Sequence, residues 1–257
     1  MCLIVFSYQP DSETPLVLLA HRDEFTARPT ARLHWWADQP DILGGRDLMA
    51  QGSWLAVHRN GRLAAVTNVR RGAIVTDKRS RGEWISRHLL GHGAAIDTAQ
   101  QTRNADEYGG FNALFGHWQN GRLQLAYGSN RHPPQTISPG VYGLSNGHFD
   151  EPWPKVRQAK AILAALLAQN APHPDWLAAL KLTETAPDDE LPDTGIGLVK
   201  ERWLSPVQII GEQYGTRAAS YLAYHADGRV EMLEQTLLPE QSGRIAHQAY
   251  ESFNIRA

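Results

Sequence analysis

One cysteine, Cys2, stands in 257 residues. A single thiol excludes an internal disulfide, which suits a reducing compartment and makes a cytoplasmic location the expectation. An excess of positive charge is also missing. Lys and Arg number 25 against 27 Asp and Glu, for a formal net charge of −2, so there is no basic footprint for a nucleic-acid partner. No apolar run approaches the length of a membrane span. The start has no basic segment and its apolar run breaks at Gln9-Pro10-Asp11, so no signal peptide is expected. Gly44-Gly45-Arg46-Asp47 lacks the Lys-Ser/Thr of a phosphate loop and reads as a turn. His88 and His92 have i,i+4 spacing, but Gly91 and Gly93 bracket the second and no Glu-based metalloprotease pattern accompanies them, so no metal site is expected. Internal repeats and low-complexity tracts are absent, and no break in composition marks a domain boundary. Residues 1–257 read as one domain.

What is present is an ordinary globular composition, 42% hydrophobic and 20% charged, with eight tryptophans and eleven histidines. Cys2 to Tyr8 and Leu16 to Ala20 read as strands joined around Pro10-Asp11-Ser12. Three hairpins are signalled by Asn60-Gly61, Asn120-Gly121 and Asp227-Gly228, dipeptides that supply the positive φ of tight turns. Arg28 to Pro40 reads as irregular, and its adjacent Trp35 and Trp36 either cap a core or line a pocket. Ser80-Arg81-Gly82-Glu83 is a capping box ahead of a helix to about Leu90. Ala94 to Gln101 reads as a second short helix. Lys155 to Asn170 carries an apolar stripe (Val156, Ala159, Ile162, Leu163, Leu166, Leu167) and is the strongest helix. Asp175 to Leu182 reads as another, and Thr185 to Asp193 as an acidic loop. Antiparallel strands with few helices predict an α+β fold, sheets covered by helices.

Cys2 heads the apolar run Leu3-Ile4-Val5-Phe6. Removal of Met1 would put a thiol and a free α-amine on one residue. That amine titrates near pH 7.7–8.0, so it can serve as the base for its own thiol, as in N-terminal nucleophile enzymes. The alternative is a small buried hydrophobe of the first strand. Arg22 and Asp23 end the neighbouring strand. A guanidinium there would depress the thiol pKa, and a carboxylate would hold the amine; as a surface ion pair the two would do little. Asn68 and Asn146 are candidate oxyanion donors or plain turn residues. Arg217 would bind an anionic group or polarise the thiol.

Several stretches together resemble the NRDE family, the homologues of Transport and Golgi organization protein 2. They are Met1-Cys2-Leu3-Ile4, His21-Arg22-Asp23-Glu24, Leu43-Gly44-Gly45-Arg46-Asp47-Leu48, Gly52-Ser53-Trp54-Leu55, Thr67-Asn68-Val69-Arg70 and Ser80-Arg81-Gly82. Gly110-Phe111-Asn112, Gly128-Ser129-Asn130-Arg131, Gly143-Leu144-Ser145-Asn146, Asp150-Glu151-Pro152-Trp153-Pro154-Lys155-Val156, Leu191-Pro192-Asp193-Thr194-Gly195 and Tyr214-Gly215-Thr216-Arg217 follow in order. The motif that names the family begins with Asn, where this chain has His21. The resemblance implies an N-terminal-nucleophile-hydrolase-like fold, a four-layer α-β-β-α sandwich. The pattern is similar, more distantly, to cysteine acylases, and this similarity assigns catalytic roles to Cys2, Arg22, Asp23, Asn68, Asn146 and Arg217.

Two functions follow from the resemblance. The first is binding and transfer of haem, or a similar amphipathic anion, as cargo beside Cys2. Trp35 and Trp36 would be walls, Arg22, Arg32 or Arg217 the cations for its propionates, and His21, His34 and His148 the histidines near motif residues. No Cys-x-x-Cys-His is present, so attachment would be non-covalent. The alternative is hydrolysis of a linear amide, with Cys2 as nucleophile and an Asn as oxyanion donor. No cofactor is required in either case.

Overall fold

In the computed structural model, residues 2–72, 78–169 and 173–256 are described. The strands in chain order are β1 (Cys2–Tyr8), β2 (Leu16–Phe25), β3 (Thr30–Trp35), β4 (Ile42–Asp47), β5 (Leu55–His58), β6 (Arg62–Asn68), β7 (Phe111–Gln119), β8 (Arg122–Ser129), β9 (Gln135–Thr136), β10 (Gly140–Leu144), β11 (Tyr214–Tyr224), β12 (Arg229–Leu238) and β13 (Arg244–Asn254). The α-helices are α1 (Glu83–Leu89), α2 (Ala95–Gln101), α3 (Pro154–Gln169) and α4 (Leu198–Trp203). One antiparallel sheet runs β10-β1-β2-β11-β12-β13, the other β3-β4-β5-β6-β7-β8-β9.

Side-chain alternation builds the layers. From β1 and β2, Ile4, Phe6, Tyr8, Leu16, Leu18 and Ala20 face the second sheet and meet Leu43, Leu55, Leu63 and Leu114 there. The intervening Leu3, Val5, Val17 and Leu19 face the other way, onto Val156, Ala159 and Leu163 of α3. On the far side of the second sheet, Ala56, Ala64, Ala113 and Phe115 pack under Trp84, Ile85 and Leu89 of α1 and Ala95 and Ala99 of α2. The result is helix, sheet, sheet, helix, the α+β sandwich expected. Gly61, Gly121 and Gly228 take positive φ at the three hairpin turns, the conformation that selected those dipeptides.

Five expectations need correction. The stretch read as irregular, and the turn read at Gly44-Gly45, are β3 and β4. A glycine suits position 44 because a Cβ there would come within 2.6 Å of Ala56 Cβ on the neighbouring strand. Asp175 to Leu182 is a 3₁₀ segment, Pro174–Leu180, that pins Trp176, Leu177 and Leu180 to the first sheet. The capping box does not close: Gly82 is the N-cap, and the Glu83 carboxylate turns to Arg79 and Tyr108. Inside and after the acidic loop lie a short 3₁₀ turn, Asp188–Glu190, and α4, neither of them expected. Among the described residues, no helix is long and apolar enough to cross a membrane, and no group of three or more His, Cys, Asp or Glu is placed to hold a metal ion.

Candidate functional site

Cys2 lies at one end of the sandwich, where the β10–β1 edge meets the end of β6. In the β1–β2 register Cys2 is opposite Arg22, which puts the two Cβ atoms about 5 Å apart. Both side chains belong to the face that looks at the second sheet. Arg22 is 5% exposed. Its guanidinium lies 4.3 Å over the Trp54 ring, donates to Thr30 Oγ1 at 3.2 Å and sits 3.7 Å from Glu24.

The β1–β10 register, Ile4 opposite Leu144, carries on toward Asn146 beside Cys2. Ser145 Oγ donates to the Cys2 carbonyl at 3.0 Å and is 3.2 Å from Asn146 Oδ1. Asn146 is fully buried and donates from Nδ2 to the Asn68 carbonyl at 2.9 Å. Thr67 Oγ1 donates to the Ser145 carbonyl, and the Arg70 amide donates to that of Asn146. These bonds zip the two sheets together beside the thiol. Asn112 reinforces them, donating to the Gly147 carbonyl at 2.7 Å while its Oδ1 accepts from Tyr127.

Behind this seam, on the helix side of the first sheet, charges are buried. Asp23 is 1% exposed and accepts from Thr216 Oγ1 at 2.7 Å; its carbonyl accepts from the Tyr214 hydroxyl. Lys155, in the first turn of α3, is 2% exposed, and its Nζ is 3.3 Å from Asn146 Oδ1. Burial lowers its pKa to about 8, against the pull of Asp23. Arg70 and Glu201 form a buried ion pair at 2.7 Å. Glu201 also accepts from the Thr194 amide and hydroxyl, and Arg70 lies 4.7 Å over Trp153.

The mouth in front of Cys2 is rich in arginine, and Arg28 there is paired with Asp47 at 2.7 Å. Glu24 lies 3.7 Å from Arg22 and 3.9 Å from Arg28. Arg81 is close enough to feel Cys2, Glu24 and Arg28, and burial lowers its pKa; among the described residues its buried Nε has no hydrogen-bond partner. Arg217 is the extra residue of a bulge between Thr216 and Ala218. It donates to the Phe25 and Arg28 carbonyls and feels Arg22 and Glu24. A cleft of about 390 Å³, lined in part by Arg217, Glu212, Thr236 and Glu240, opens alongside. Cys2 keeps some surface as a residue, yet its sulfur is desolvated. Burial pushes the thiol pKa up; Asp23 and Glu24 push the same way, while Arg22 opposes them.

The six residues expected to act together thus gather at one end: Cys2, Arg22, Asp23, Asn68 and Asn146 tightly, Arg217 at the rim. The residues expected to line a ligand do not gather there. Trp35 packs edge-on against Phe253 at 5.2 Å under Arg59. Phe253 is opposite Val230, Val230 opposite Tyr224, Tyr224 opposite Leu16 and Leu16 opposite Tyr8, so this contact lies at the far end of β1, about 20 Å from Cys2. Trp36 is buried on the helix side of the second sheet, donating to the Gly44 carbonyl. Arg32 is exposed, and His34 closes on the Arg32 carbonyl. His148 is exposed beside Glu151 and His132. His21 points to the helix side, Nδ1 3.0 Å from the Val207 carbonyl, with its pKa lowered by burial. Strand alternation explains the last: His21 lies on the opposite face from Arg22.

Four polar residues at this end carry no role in the sequence reading: Lys155, Arg70, Glu201 and Arg81. One signal for Lys155 is legible in retrospect. Residues 155, 159 and 163 are spaced i, i+4, i+8, so the lysine stands on the buried stripe of its helix.

The family model described as Transport and Golgi organisation 2 matches residues 1–239. The chain belongs to this family. It is 28% identical to the Transport and Golgi organization 2 homolog of Mus musculus over 271 residues, covering 98% of each chain. The human homolog is 27% identical over 274 residues, again with 98% of each covered. Among solved structures, a Caenorhabditis elegans ortholog of N-acylethanolamine-hydrolyzing acid amidase overlays with a TM-score of 0.51 at 8% identity, covering 88% of this chain and 93% of that one. That likeness is one of fold, an N-terminal-nucleophile-hydrolase-like sandwich.

Proposed function

We propose that this member of the Transport and Golgi organisation 2 family holds an amphipathic anion at the mouth beside Cys2 and passes it on inside the cell, haem being the first cargo to test. The observation that carries this reading is the cluster of guanidiniums. Arg22, Arg28, Arg81 and Arg217 stand around Glu24, with Asp47 paired to Arg28 at 2.7 Å and Glu240 near Arg217, and among the described residues Arg81 Nε has no hydrogen-bond partner. Such a mouth suits propionates or another anionic head group, because guanidiniums bind carboxylates bidentately. A thiol whose pKa is raised favours binding over chemistry at neutral pH. The cytoplasm, kept reducing, suits the lone thiol.

The test is a spectral titration with haem. A saturable Soret shift is expected, weakened about tenfold, or roughly 1.4 kcal/mol, by Arg81→Ala. Spectra that never saturate, or that ignore the substitution, overturn the reading.

The second reading, hydrolysis of a linear amide, is favoured by the buried Asn146 carboxamide, which donates to the Asn68 backbone carbonyl near Cys2. It requires removal of Met1 to free the Cys2 amine as base. Intact mass of the protein from its own host decides it: a retained Met1 leaves an amide nitrogen, which cannot accept the proton.

A further inference from the structure

Among the described residues, the two sheets end on four edge strands, β10 and β13 of the first and β3 and β9 of the second. An open edge offers unpaired N–H and C=O groups to any other strand, and natural proteins blunt it. Three of the four are blunted. β10 is five residues long, and its Gly143 amide and carbonyl are both taken by Asp150. β3 is broken by a register shift between Ala31 and His34, and its Leu33 amide donates to Glu234. β9 has two residues. β13 is different. It runs for 11 residues, contains neither proline nor lysine, and among the described residues pairs with β12 alone. Its register shifts once, near Ala246, and is continuous from His247 to Asn254. Tyr250 is 48% exposed, and Arg244 to Gln248 are exposed on both faces of the strand.

We propose that β13 pairs with β13 of a second copy of this chain, antiparallel, about a two-fold axis at Ala249. Symmetry limits the choices. Hydrogen-bonded and non-hydrogen-bonded pairs alternate along an antiparallel ladder. An axis between two residues would make neighbouring pairs the same kind, so it must fall on a residue that faces its own copy. At Glu251 it would bring two carboxylates together, which is destabilising. At Gln248, Tyr250 or Ser252 it would set Glu251 opposite Ile245, Ala249 or Phe253. An axis nearer either end pairs fewer residues. With Ala249 on the axis, His247 faces Glu251 twice and Gln248 faces Tyr250 twice. Glu251 gives Oε2 to the Trp35 indole at 3.2 Å, which leaves Oε1 for the imidazole. The smallest side chain of the continuous run stands on the axis itself. A strand that complements itself in reverse fits its own copy better than an unrelated strand. The first sheet then continues through both copies. None of this depends on the Cys2 site or on what it holds.

Sedimentation equilibrium of the full chain reads the assembly, and a dimer is expected for wild type. His247→Glu sets carboxylates face to face on both sides of the axis and is expected to raise the dissociation constant about tenfold. Adding Glu251→His puts an imidazole opposite each carboxylate again and should restore most of the affinity. Register is read by cross-linking in a Cys2→Ser background, which has no other cysteine. There Ala249→Cys faces its own copy within disulfide reach and should oxidise to a covalent dimer. Ser252→Cys, whose two copies would lie about 20 Å apart, should not. A wild-type monomer at the highest concentration reached, including one that carries a different protein on this edge, overturns the proposal. So does a His247→Glu chain that dimerises like wild type, equal cross-linking at the two positions, or none at 249. The measurements need neither haem nor an amide, so failure of the Soret titration or of amide cleavage leaves them intact.

Discussion

The two ends of the sandwich are built from the same strands and do opposite things. At the Tyr8 end, the gap between the sheets is plugged with rings. Trp35 meets Phe253, Trp118 stacks on Tyr224 at 6.5 Å, and the polar tips are spent on backbone, Tyr8 on the Leu123 carbonyl and Tyr224 on that of Arg62. At the Cys2 end, the same gap holds Arg22 and Glu234, and the layer behind it holds Asp23, Lys155, Arg70 and Glu201, all buried. Rings that satisfy their own polar atoms make the first end a source of stability. Buried charges carry desolvation costs that their partners only partly offset, which makes the second end the one that contributes less to stability. Strand pairing is continuous between them, so the difference lies in side chains alone.

Changes at the two ends should therefore separate. The largest effect is expected from Tyr224→Ala at the plugged end: a loss of about 4 kcal/mol in urea unfolding, with the native-state alkylation rate of Cys2 unchanged. A slower thiol in that variant would mean that the two ends are coupled. Glu201→Gln at the polar end leaves the Arg70 guanidinium, 6% exposed, without its counter-charge. The expected cost is roughly 3 kcal/mol, and here the alkylation rate should change as well.

Glu234 gives the polar end a pH signature. Burial raises its carboxyl pKa from 4.5 to about 7, and among the described residues Oε2 has no hydrogen-bond partner. Because the folded pKa lies above the unfolded one, the contribution to stability is fully present below about pH 4.5 and is lost as pH rises through 7. Glu234→Gln should remove that dependence and stabilise the protein by about 2 to 3 kcal/mol at pH 8, with little change at pH 4. Equal effects at the two pH values would count against a neutral buried carboxyl. The smallest effect belongs to the plugged end again. Arg59, 3.7 Å over Trp35, is expected to contribute about 1 kcal/mol, lost in Arg59→Ala and read as a small drop in Tm.

The sequence was most legible where a local rule and the global fold agreed. The Asn60-Gly61, Asn120-Gly121 and Asp227-Gly228 turns need positive φ wherever they occur, so their hairpins could be read without knowing the rest. β4 could not, because its Gly44 and Gly45 answer to Ala56 of β5 and to Trp54 just before it, a constraint invisible along the chain. β13, mostly exposed, is an edge strand held by its ladder to β12 rather than by an apolar pattern of its own. The candidate site divides the same way. Cys2 and Arg22 are opposite each other through a hairpin, which adjacency predicts. Lys155 and Glu201 reach the site from α3 and α4, and only the packed fold brings them there. The tryptophan pair misled because side chains alternate across the end of β3: Trp35, its last residue, faces the gap between the sheets, and Trp36, just past it, faces the helices.

Gly45 shows how far from the thiol its environment can be set. A Cβ at this position would stand 2.3 Å from the Trp54 indole and 3.2 Å from Glu234 Oε2, while Arg22 lies against that same indole. Bare backbone is thus the floor on which the ring rests, and the ring is the shelf for the guanidinium. An added methyl group would tip the shelf and shift the cation opposite Cys2, so a buried glycine that never meets the thiol sets the charge that faces it.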